Sequence, residues 1–294
     1  MIGLTIPALL ADTEAKFGDR IFIRDKGQAV TFRFVAHTAR SVAKGLMALG
    51  VQPKDRLALW MPNCWEWVAA ALGIQLAGGV LVPLNTRLRG MEVGGILRRS
   101  KAIGLISIGT FLGVDFPGML VCQDLPDLRH LIVSGDSASS VGGHLTWDAL
   151  LKAGEAIADS ECSSRAASVC ADDVCDIMFT SGTTGEPKGA VFTHAMTLEG
   201  ARGTIELTQL VPDDRYAAFG PFSHNAAYKA GWLAALMAGA SMVTMRDMTP
   251  DGVARIIQQE KITILPSPPT VLQGLLAHPE YSSFDLSSLR RITT

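Results

Sequence analysis

Strand-like and helix-like segments alternate along the 294 residues, and this alternation constrains the fold more than any other feature. Short apolar runs typical of buried strands, such as 56–60, 80–83 and 103–108, are separated by stretches with helical spacing, such as 38–49 and 91–100. Parallel strands need long crossovers, which are usually helices. The order therefore predicts an α/β fold with mostly parallel sheets and packed helices.

The same patterns continue through the second half of the chain. Gly239 is predicted to cap a helix in the left-handed conformation, and the final residues 289–294 indicate the start of a strand. The further predicted helices are 65–77, 194–208, 228–238, 250–260 and 270–277, and the further predicted strands are 174–179, 189–192, 216–219, 241–245 and 262–265.

Two stretches of small and polar residues, 134–143 and 160–168, are predicted to be loops. The second serves as the predicted boundary between two parts of the chain. Residues 1–168 would form a first α/β subdomain, and residues 169–294 a second, incomplete α/β subdomain that carries the chemistry described below.

Composition excludes several classes of protein. Hydrophobic residues make up 48% and charged residues 18% of the chain, a balance typical of a globular protein with a core. The formal charge of −2 provides no basic field for nucleic acid, so no nucleic-acid partner is expected. The uncharged stretch 67–86 contains glycines and a proline, so it predicts a helix, a turn and a strand, with no transmembrane segment.

Cysteine usage predicts no metal site. The five cysteines include no C-x-x-C pair, and Cys170 and Cys175 have no second cysteine or histidine pair at zinc spacing. Ordinary thiols of this kind are typical of a reducing compartment, and a cytoplasmic location is expected.

The segment from Thr180 to Gly189 carries the most informative chemistry. Glycines let the backbone turn tightly, successive N–H groups in such a loop bind anions, and hydroxyls and a lysine add donors suited to phosphate. The spacing is neither a Walker A loop nor G-x-G-x-x-G. A plain polar hairpin between two strands is the competing interpretation. The candidate phosphate-binding residues are Thr180, Ser181, Gly182, Thr183, Thr184, Gly185 and Lys188.

The order of these residues resembles the signature of the adenylate-forming (AMP-binding) superfamily, which includes acyl-CoA synthetases, luciferases and the adenylation domains of peptide synthetases. Segments 60–64 and 82–87 are similar to the family's early N-terminal region, and 221–224 followed by Gly231 is similar to its next core motif. The resemblance covers essentially the whole chain. It implies the large N-terminal domain of the adenylate-forming fold.

This resemblance implies an acid–thiol ligase, in which a carboxylic acid reacts with ATP to give acyl-AMP and pyrophosphate, and CoA then gives acyl-CoA and AMP. ATP, Mg²⁺ and CoA would be required, and a fatty or alicyclic acid is expected. His224 would lie beside the carboxylate as the catalytic candidate. A loop histidine with a hydrogen-bonded ring is the alternative for His224.

Several family motifs that lie downstream are absent from these residues. They are a Tyr-Gly-x-Thr-Glu segment for adenine and Mg²⁺, an aspartate for the ribose, and the mobile C-terminal lid domain with its lysine. The resemblance therefore predicts a truncated chain that is inactive alone and prone to self-association. Two alternatives stay open, namely an adenylating enzyme that does not use CoA and a non-catalytic nucleotide-binding remnant.

A few conspicuous side chains have competing interpretations. Trp65 and Trp67 are expected to pack in the core and not to stack on adenine. Tyr228 and Lys229 would line an acyl pocket, or Lys229 would face solvent on a helix. His194 follows a strand and could cap the next helix, and it is assigned no functional role.

Overall fold

The computed structural model describes six stretches of the chain, which are residues 5–25, 27–135, 143–180, 187–218, 220–245 and 249–294. Eleven α-helices occur within these stretches. They are α1 Ile6–Phe17, α2 Phe32–Ala48, α3 Trp65–Leu76, α4 Gly90–Ser100, α5 Trp147–Ala153, α6 Asp159–Ala167, α7 His194–Thr208, α8 Asn225–Ala227, α9 Ala234–Ala238, α10 Pro250–Glu260 and α11 Pro269–Leu276.

Fifteen strands occur in the same described stretches. They are β1 Ile21–Asp25, β2 Gln28–Thr31, β3 Arg56–Trp60, β4 Val80–Pro83, β5 Gly104–Ile108, β6 Thr110–Phe111, β7 Val114–Asp115, β8 His130–Ser134, β9 Leu145–Thr146, β10 Val174–Thr180, β11 Lys188–Thr193, β12 Arg215–Ala218, β13 Ser241–Thr244, β14 Ile264–Pro266 and β15 Arg291–Thr293.

The chain forms two compact units, each made of several segments. The first unit comprises 1–11, 36–62 and 66–197, and the second comprises 12–35, 63–65 and 198–294.

The first unit is built on a seven-stranded sheet with the order β11-β10-β4-β3-β5-β8-β9. Every neighbouring pair in it is parallel except β10 and β11. Apolar side chains from β3, β4 and α4 pack together in one cluster of its core, with Trp60 and Phe116 at a ring-centroid distance of 4.6 Å. Strands β3, β4 and β5 are buried on both faces, which explains why their sequences are nearly continuous apolar runs.

Helix α3 explains the uncharged stretch of the sequence. Every residue from Trp67 to Leu76 is buried, and a helix that is apolar all round belongs in a core. Gly73 lets α3 approach α2 closely, because a Cβ there would lie 2.5 Å from a methyl carbon of Val42. Among the residues that the structure describes, we find no helix with the length and continuous apolarity that crossing a bilayer requires.

The second unit is built on a six-stranded sheet with the order β15-β14-β12-β13-β1-β2. All of its pairs are parallel except β1 with β2. Residues from β12, β13 and α10 form its core, including Ala217, Val243 and Ile257. The strand predicted at the end of the sequence is confirmed as β15, which pairs with β14.

Mostly parallel sheets with packed helices confirm the predicted α/β class, but the predicted boundary at residue 168 does not match the division of the structure. Strand β10 pairs with β4, with Asp176 opposite Leu81, so the hairpin β10–β11 belongs to the first unit. The chain passes from one unit to the other several times, and the last passage falls between Thr197 and Leu198, inside α7.

The loop predicted at 160–168 is wrong, because α6 occupies most of it. Asp159 and Glu161 lie in the first helical turn, where carboxylates are favourable, and Cys162 is buried. Arg165 donates to the carbonyl oxygens of Val51 and Ala77, both at 3.3 Å. These tertiary contacts override a local composition that favours a loop. The other predicted loop, 134–143, lies mostly outside the described residues, at 136–142.

Candidate functional site

The hairpin β10–β11 brings two of the predicted phosphate-binding residues together. Thr180 and Lys188 are paired directly across the two antiparallel strands, at the end where the connecting loop begins, and both are exposed. Thr180 is the carboxyl end of a strand that runs parallel to β4. Ligands of open α/β sheets bind beyond such strand ends. The remaining predicted residues, Ser181, Gly182, Thr183, Thr184 and Gly185, lie outside the described residues.

A buried polar cluster fastens the hairpin to α7. The Asp176 side chain accepts hydrogen bonds from Thr197 Oγ1 at 2.8 Å and from Cys175 Sγ at 3.0 Å, all on fully buried residues. A buried carboxylate is costly unless it is hydrogen-bonded, so the cluster favours one arrangement of strand and helix. The strand that ends at Thr180 is therefore held rigidly below its exposed tip.

Arg99 adds a second cationic side chain at this hairpin, and no local sequence pattern indicates it. Its Nη1 donates to the carbonyl oxygen of Pro187, the residue before Lys188, at 2.9 Å. Arg99 lies near the end of α4, 88 residues earlier in the chain. Guanidinium and ammonium groups are the usual phosphate-binding cations. The hairpin has one of each nearby, from Arg99 and from Lys188.

His224 lies in the second unit, in the turn between β12 and α8. It is exposed and is the N-cap of α8, with φ −114° and ψ 143°. Its Nδ1 accepts from the backbone N–H of Ala226 at 3.4 Å. In the neutral ring only the other nitrogen, Nε2, then carries a proton. His224 can therefore offer a donor to an anionic ligand, which is the chemistry that a carboxylate site requires.

The helix after His224 is interrupted by a π-helical turn, Tyr228–Leu233, within the predicted helix 228–238. Gly231 has non-helical angles, φ −104° and ψ −106°. Single π-helical turns occur frequently at functional sites. Tyr216 donates its hydroxyl to the carbonyl oxygen of Ala230 at 2.6 Å, and burial raises the pKa of that phenol, which keeps it a donor.

Lys229 is buried, with 6% exposure, so the interpretation as a solvent-facing lysine is wrong. The π-helical turn places it beside Tyr228, which is fully buried and stacks on Trp232 with ring centroids 5.0 Å apart. Whether Tyr228 and Lys229 line an acyl pocket stays a prediction. The expected core role of Trp67 is confirmed, since its side chain is fully buried, and Trp65 packs edge-on against Phe34.

Asn63, which the sequence analysis includes only as part of a resemblance, contacts the turn that carries His224. Its Nδ2 donates to the carbonyl oxygen of Gly220 at 2.7 Å, and its Oδ1 accepts from the N–H of Phe222 at 2.8 Å. Both contacts lie within the second unit. They join positions more than 150 residues apart, so local sequence could not indicate them.

Two other features of the described residues bear on ligands. They contain no group of three or more His, Cys, Asp or Glu side chains that could hold a metal ion. A cavity of about 500 Å³ in the first unit is lined mainly by apolar side chains, including Pro7, Ala8 and Leu76, and by none of the predicted site residues.

The mostly parallel sheets and packed helices define the class of α/β proteins, and comparison with known proteins gives the family. Residues 10–294 match the family of AMP-binding enzymes. The chain belongs to this family.

Two relatives carry the same name, 3-[(3aS,4S,7aS)-7a-methyl-1,5-dioxo-octahydro-1H-inden-4-yl]propanoyl:CoA ligase. The one from Mycobacterium tuberculosis is 40% identical over 99% of this chain, and the one from Rhodococcus jostii is 38% identical over 97% of it. The chain spans 56% of the length of each relative.

Solved structures agree on the fold. The anthranilate CoA ligase AuaEII, in complex with anthranoyl-AMP, superposes with a TM-score of 0.84 at 26% identity, covering 99% of this chain and 54% of that one. The N-terminal domain of FACL13 from Mycobacterium tuberculosis superposes with a TM-score of 0.80 at 26% identity, and the match covers 98% of this chain and 69% of that one. The fold is thus that of the N-terminal domain of an adenylate-forming enzyme.

Proposed function

We propose that the protein carrying this chain is an ATP-dependent carboxylate–CoA ligase. A carboxylate oxygen of the acid attacks the α-phosphorus of ATP, and the bond from that phosphorus to the pyrophosphate oxygen breaks. The CoA thiol then attacks the acyl carbon, its proton passes to solvent, and AMP leaves. The pairing of Thr180 with Lys188 at the tip of a rigid hairpin, in a chain of the AMP-binding family, carries the proposal.

Each described residue has a role that follows from its chemistry. The Lys188 ammonium and the Thr180 hydroxyl donate to phosphate oxygens and favour departure of pyrophosphate, because charge builds up on those oxygens as the bond breaks. Arg99 holds the hairpin through Pro187. His224 donates from Nε2 to the carboxylate and orients it for attack. Mg²⁺, when bound with the phosphates of ATP, would neutralise part of their charge.

The acid is proposed to be an apolar carboxylic acid of the alicyclic or fatty class. The names of the Mycobacterium tuberculosis and Rhodococcus jostii relatives describe a propanoyl group on a fused bicyclic ring. The buried aromatic pair Tyr228 and Trp232, which follows His224 in the chain, supports an apolar environment after the carboxylate position. A reducing cytoplasm that supplies ATP and CoA is the compartment in which this reaction would run.

Self-association is a further part of the proposal. Strand β15 is at one edge of the six-stranded sheet among the described strands, and its Ile292 is 47% exposed. Unpaired edge strands with apolar side chains promote association. Light scattering of the 294-residue chain during size exclusion would give its mass, and a monomer at all concentrations would contradict this part.

The test is acid-dependent exchange of labelled pyrophosphate into ATP, followed by detection of acyl-CoA by mass spectrometry. The acids are a propanoic acid on a fused bicyclic ring, octanoate and anthranilate. Exchange with at least one acid, and acyl-CoA formation when CoA is added, is the expected result. ATP binding without exchange for any acid would refute the proposal and favour a non-catalytic protein. Exchange without acyl-CoA would favour an adenylating enzyme that uses another acceptor.

A further inference from the structure

The Asn63 side chain forms a two-bond bridge to the turn that precedes α8. It donates to the carbonyl oxygen of Gly220 and accepts from the N–H of Phe222, so one amide satisfies backbone groups on both sides of Pro221. The asparagine carboxamide carries a donor, Nδ2, and an acceptor, Oδ1, on the same carbon, so it can serve two backbone groups at once. Aspartate would keep only the acceptor, and a hydroxyl cannot span both backbone groups.

The turn itself has features that make this bridge effective. Gly220 has φ +87°, a conformation that glycine adopts without strain. Phe222 is buried, with 1% exposure, and anchors the middle of the turn. The N–H of His224 closes it by donating to the carbonyl oxygen of Pro221 at 2.9 Å. Asn63 is therefore hydrogen-bonded to the first half of a turn whose last residue is His224.

The position of the imidazole depends on the same backbone. The His224 ring is tied to the N–H of Ala226, and its carbonyl oxygen accepts from the N–H of Tyr228 at 2.9 Å. The ring is therefore fixed to the start of α8 and exposed on its other side. What orients the turn orients the ring.

We propose that Asn63 is a positioning residue for His224 in the activation of the acid. This inference rests on the proposed function. Without Asn63, the turn loses the bridge between Gly220 and Phe222 and samples other arrangements, and the imidazole leaves its productive place. A misplacement of about 1 Å can reduce a rate about 100-fold, so a loss of roughly 10- to 100-fold in kcat/KM for the acid is expected, with the KM for ATP unchanged.

The experiment uses the whole protein that carries this chain and compares Asn63→Ala, His224→Ala and the double variant in pyrophosphate exchange. If Asn63 acts through His224, the double variant is no worse than His224→Ala alone, because residues that act as a unit are non-additive. Asn63→Asp, which keeps the acceptor for Phe222, should recover part of the loss. Losses that multiply in the double variant would overturn the inference.

A second readout does not depend on catalysis. Hydrogen–deuterium exchange at the Phe222 amide, resolved by fragmentation mass spectrometry, should be about tenfold faster in Asn63→Ala, since one hydrogen bond changes an opening equilibrium by about that factor. Thr249→Ala is the control, because it removes the N-cap bond to Gly252 of α10 and leaves the turn intact. Unchanged exchange at Phe222 would overturn the inference.

The two readouts separate this inference from the proposed function. If the unmodified protein shows no acid-dependent exchange, the ligase proposal fails. The rate of hydrogen–deuterium exchange at the Phe222 amide then decides whether Asn63 holds the turn. Activity in the unmodified protein, together with an unchanged acid KM and kcat in Asn63→Ala, would leave the ligase proposal standing and refute the role of Asn63.

Discussion

The backbone N–H of Ile6 donates to Nδ1 of His194 at 3.3 Å, a contact between residues 188 positions apart in the first unit. His194 is the first residue of α7 and is 1% exposed. A neutral ring can accept this bond, whereas a protonated ring cannot. The sequence analysis considers His194 as a cap of the next helix. In the structure its ring accepts instead from the first turn of α1.

His194 should make folding stability depend on pH. Burial lowers the pKa of His194 from 6.5 to about 4, against the opposing effect of Asp173. Between these values the unfolded chain binds a proton that the folded chain does not, so stability is complete above pH 6.5 and declines as the pH falls to about 4. The pKa difference corresponds to about 3 kcal/mol.

Urea unfolding at several pH values between 4 and 7 would measure this effect. His194→Gln is the matched variant, since glutamine can accept from Ile6 and does not titrate. The unfolding free energy of the unmodified protein should fall relative to that of His194→Gln as the pH drops from 6.5 towards 4. Parallel curves for the two proteins would contradict the assignment.

Gly239 and Gly50 form a matched pair for backbone and packing effects. Both have positive φ, +72° and +84°. A Cβ at Gly239 would lie 2.5 Å from Cε2 of Phe17, whereas a Cβ at Gly50 would meet nothing within 4 Å. Gly50→Ala should cost about 1 kcal/mol from the backbone alone. Gly239→Ala should cost about 2–4 kcal/mol, because overpacking adds to it. Urea unfolding midpoints would test whether Gly239→Ala loses more stability than Gly50→Ala, and equal losses in the two variants would contradict the prediction.

Sequence patterns predict elements whose signals are local. The predicted bounds of strand β3 match the observed ones because Arg56 is followed by four apolar residues. Those of α10 match because Pro250 favours the first turn of a helix. The left-handed conformation of Gly239 was also predicted, since glycine is common after a helix.

Features that depend on distant contacts could not be predicted this way. Helix α6 is held by Arg165, whose acceptors Val51 and Ala77 are far away in sequence. The unit boundary depends on which strand pairs with β10. The bridge from Asn63 depends on a turn that lies more than 150 residues later in the chain. The candidate phosphate-binding residues are contiguous, so the sequence alone could suggest them, whereas Arg99 approaches this hairpin only in the folded chain.

The ion pair between Arg290 and Asp214 should stabilise the second unit. The Asp214 side chain is 3% exposed and also accepts from Thr263 Oγ1 at 2.7 Å. Burial opposes ionisation of this carboxyl, yet the hydrogen bonds from Arg290 and Thr263 keep its pKa below the ordinary value. Arg290→Met leaves a buried charge without its main partner. Removing one partner of a buried pair costs about 3–5 kcal/mol. Because Arg290 is partly exposed, the expected loss of unfolding free energy is about 3 kcal/mol.

Arg255→Met is the control for that prediction. Arg255 pairs with Asp251 at 2.6 Å, but its side chain is 63% exposed. Exposed helical pairs contribute about 0.3–0.5 kcal/mol. Urea unfolding should therefore show a large loss for Arg290→Met and a small one for Arg255→Met. Similar losses in both would mean that burial of Asp214 does not determine the energy.

Lys188→Ala should weaken ATP binding without unfolding the protein. Lys188 is exposed at the tip of the hairpin, so its removal leaves no cavity, whereas a hydrogen bond to a charged group contributes about 1.5–3 kcal/mol, or roughly 10- to 100-fold in Kd. Thr180→Ala and Thr184→Ala remove neutral donors and should cost about tenfold or less. Isothermal titration with ATP would measure each Kd, with circular dichroism to follow the fold.

Lys152→Ala, an exposed lysine on α5 in the same unit, controls for the loss of a surface charge. Because the Lys188 contact is electrostatic, the difference between the two variants should narrow as salt rises and screens the phosphate. An ATP affinity that is the same in Lys188→Ala, Lys152→Ala and the unmodified protein would mean that the hairpin does not bind phosphate, and the ligase proposal would lose the observation that carries it.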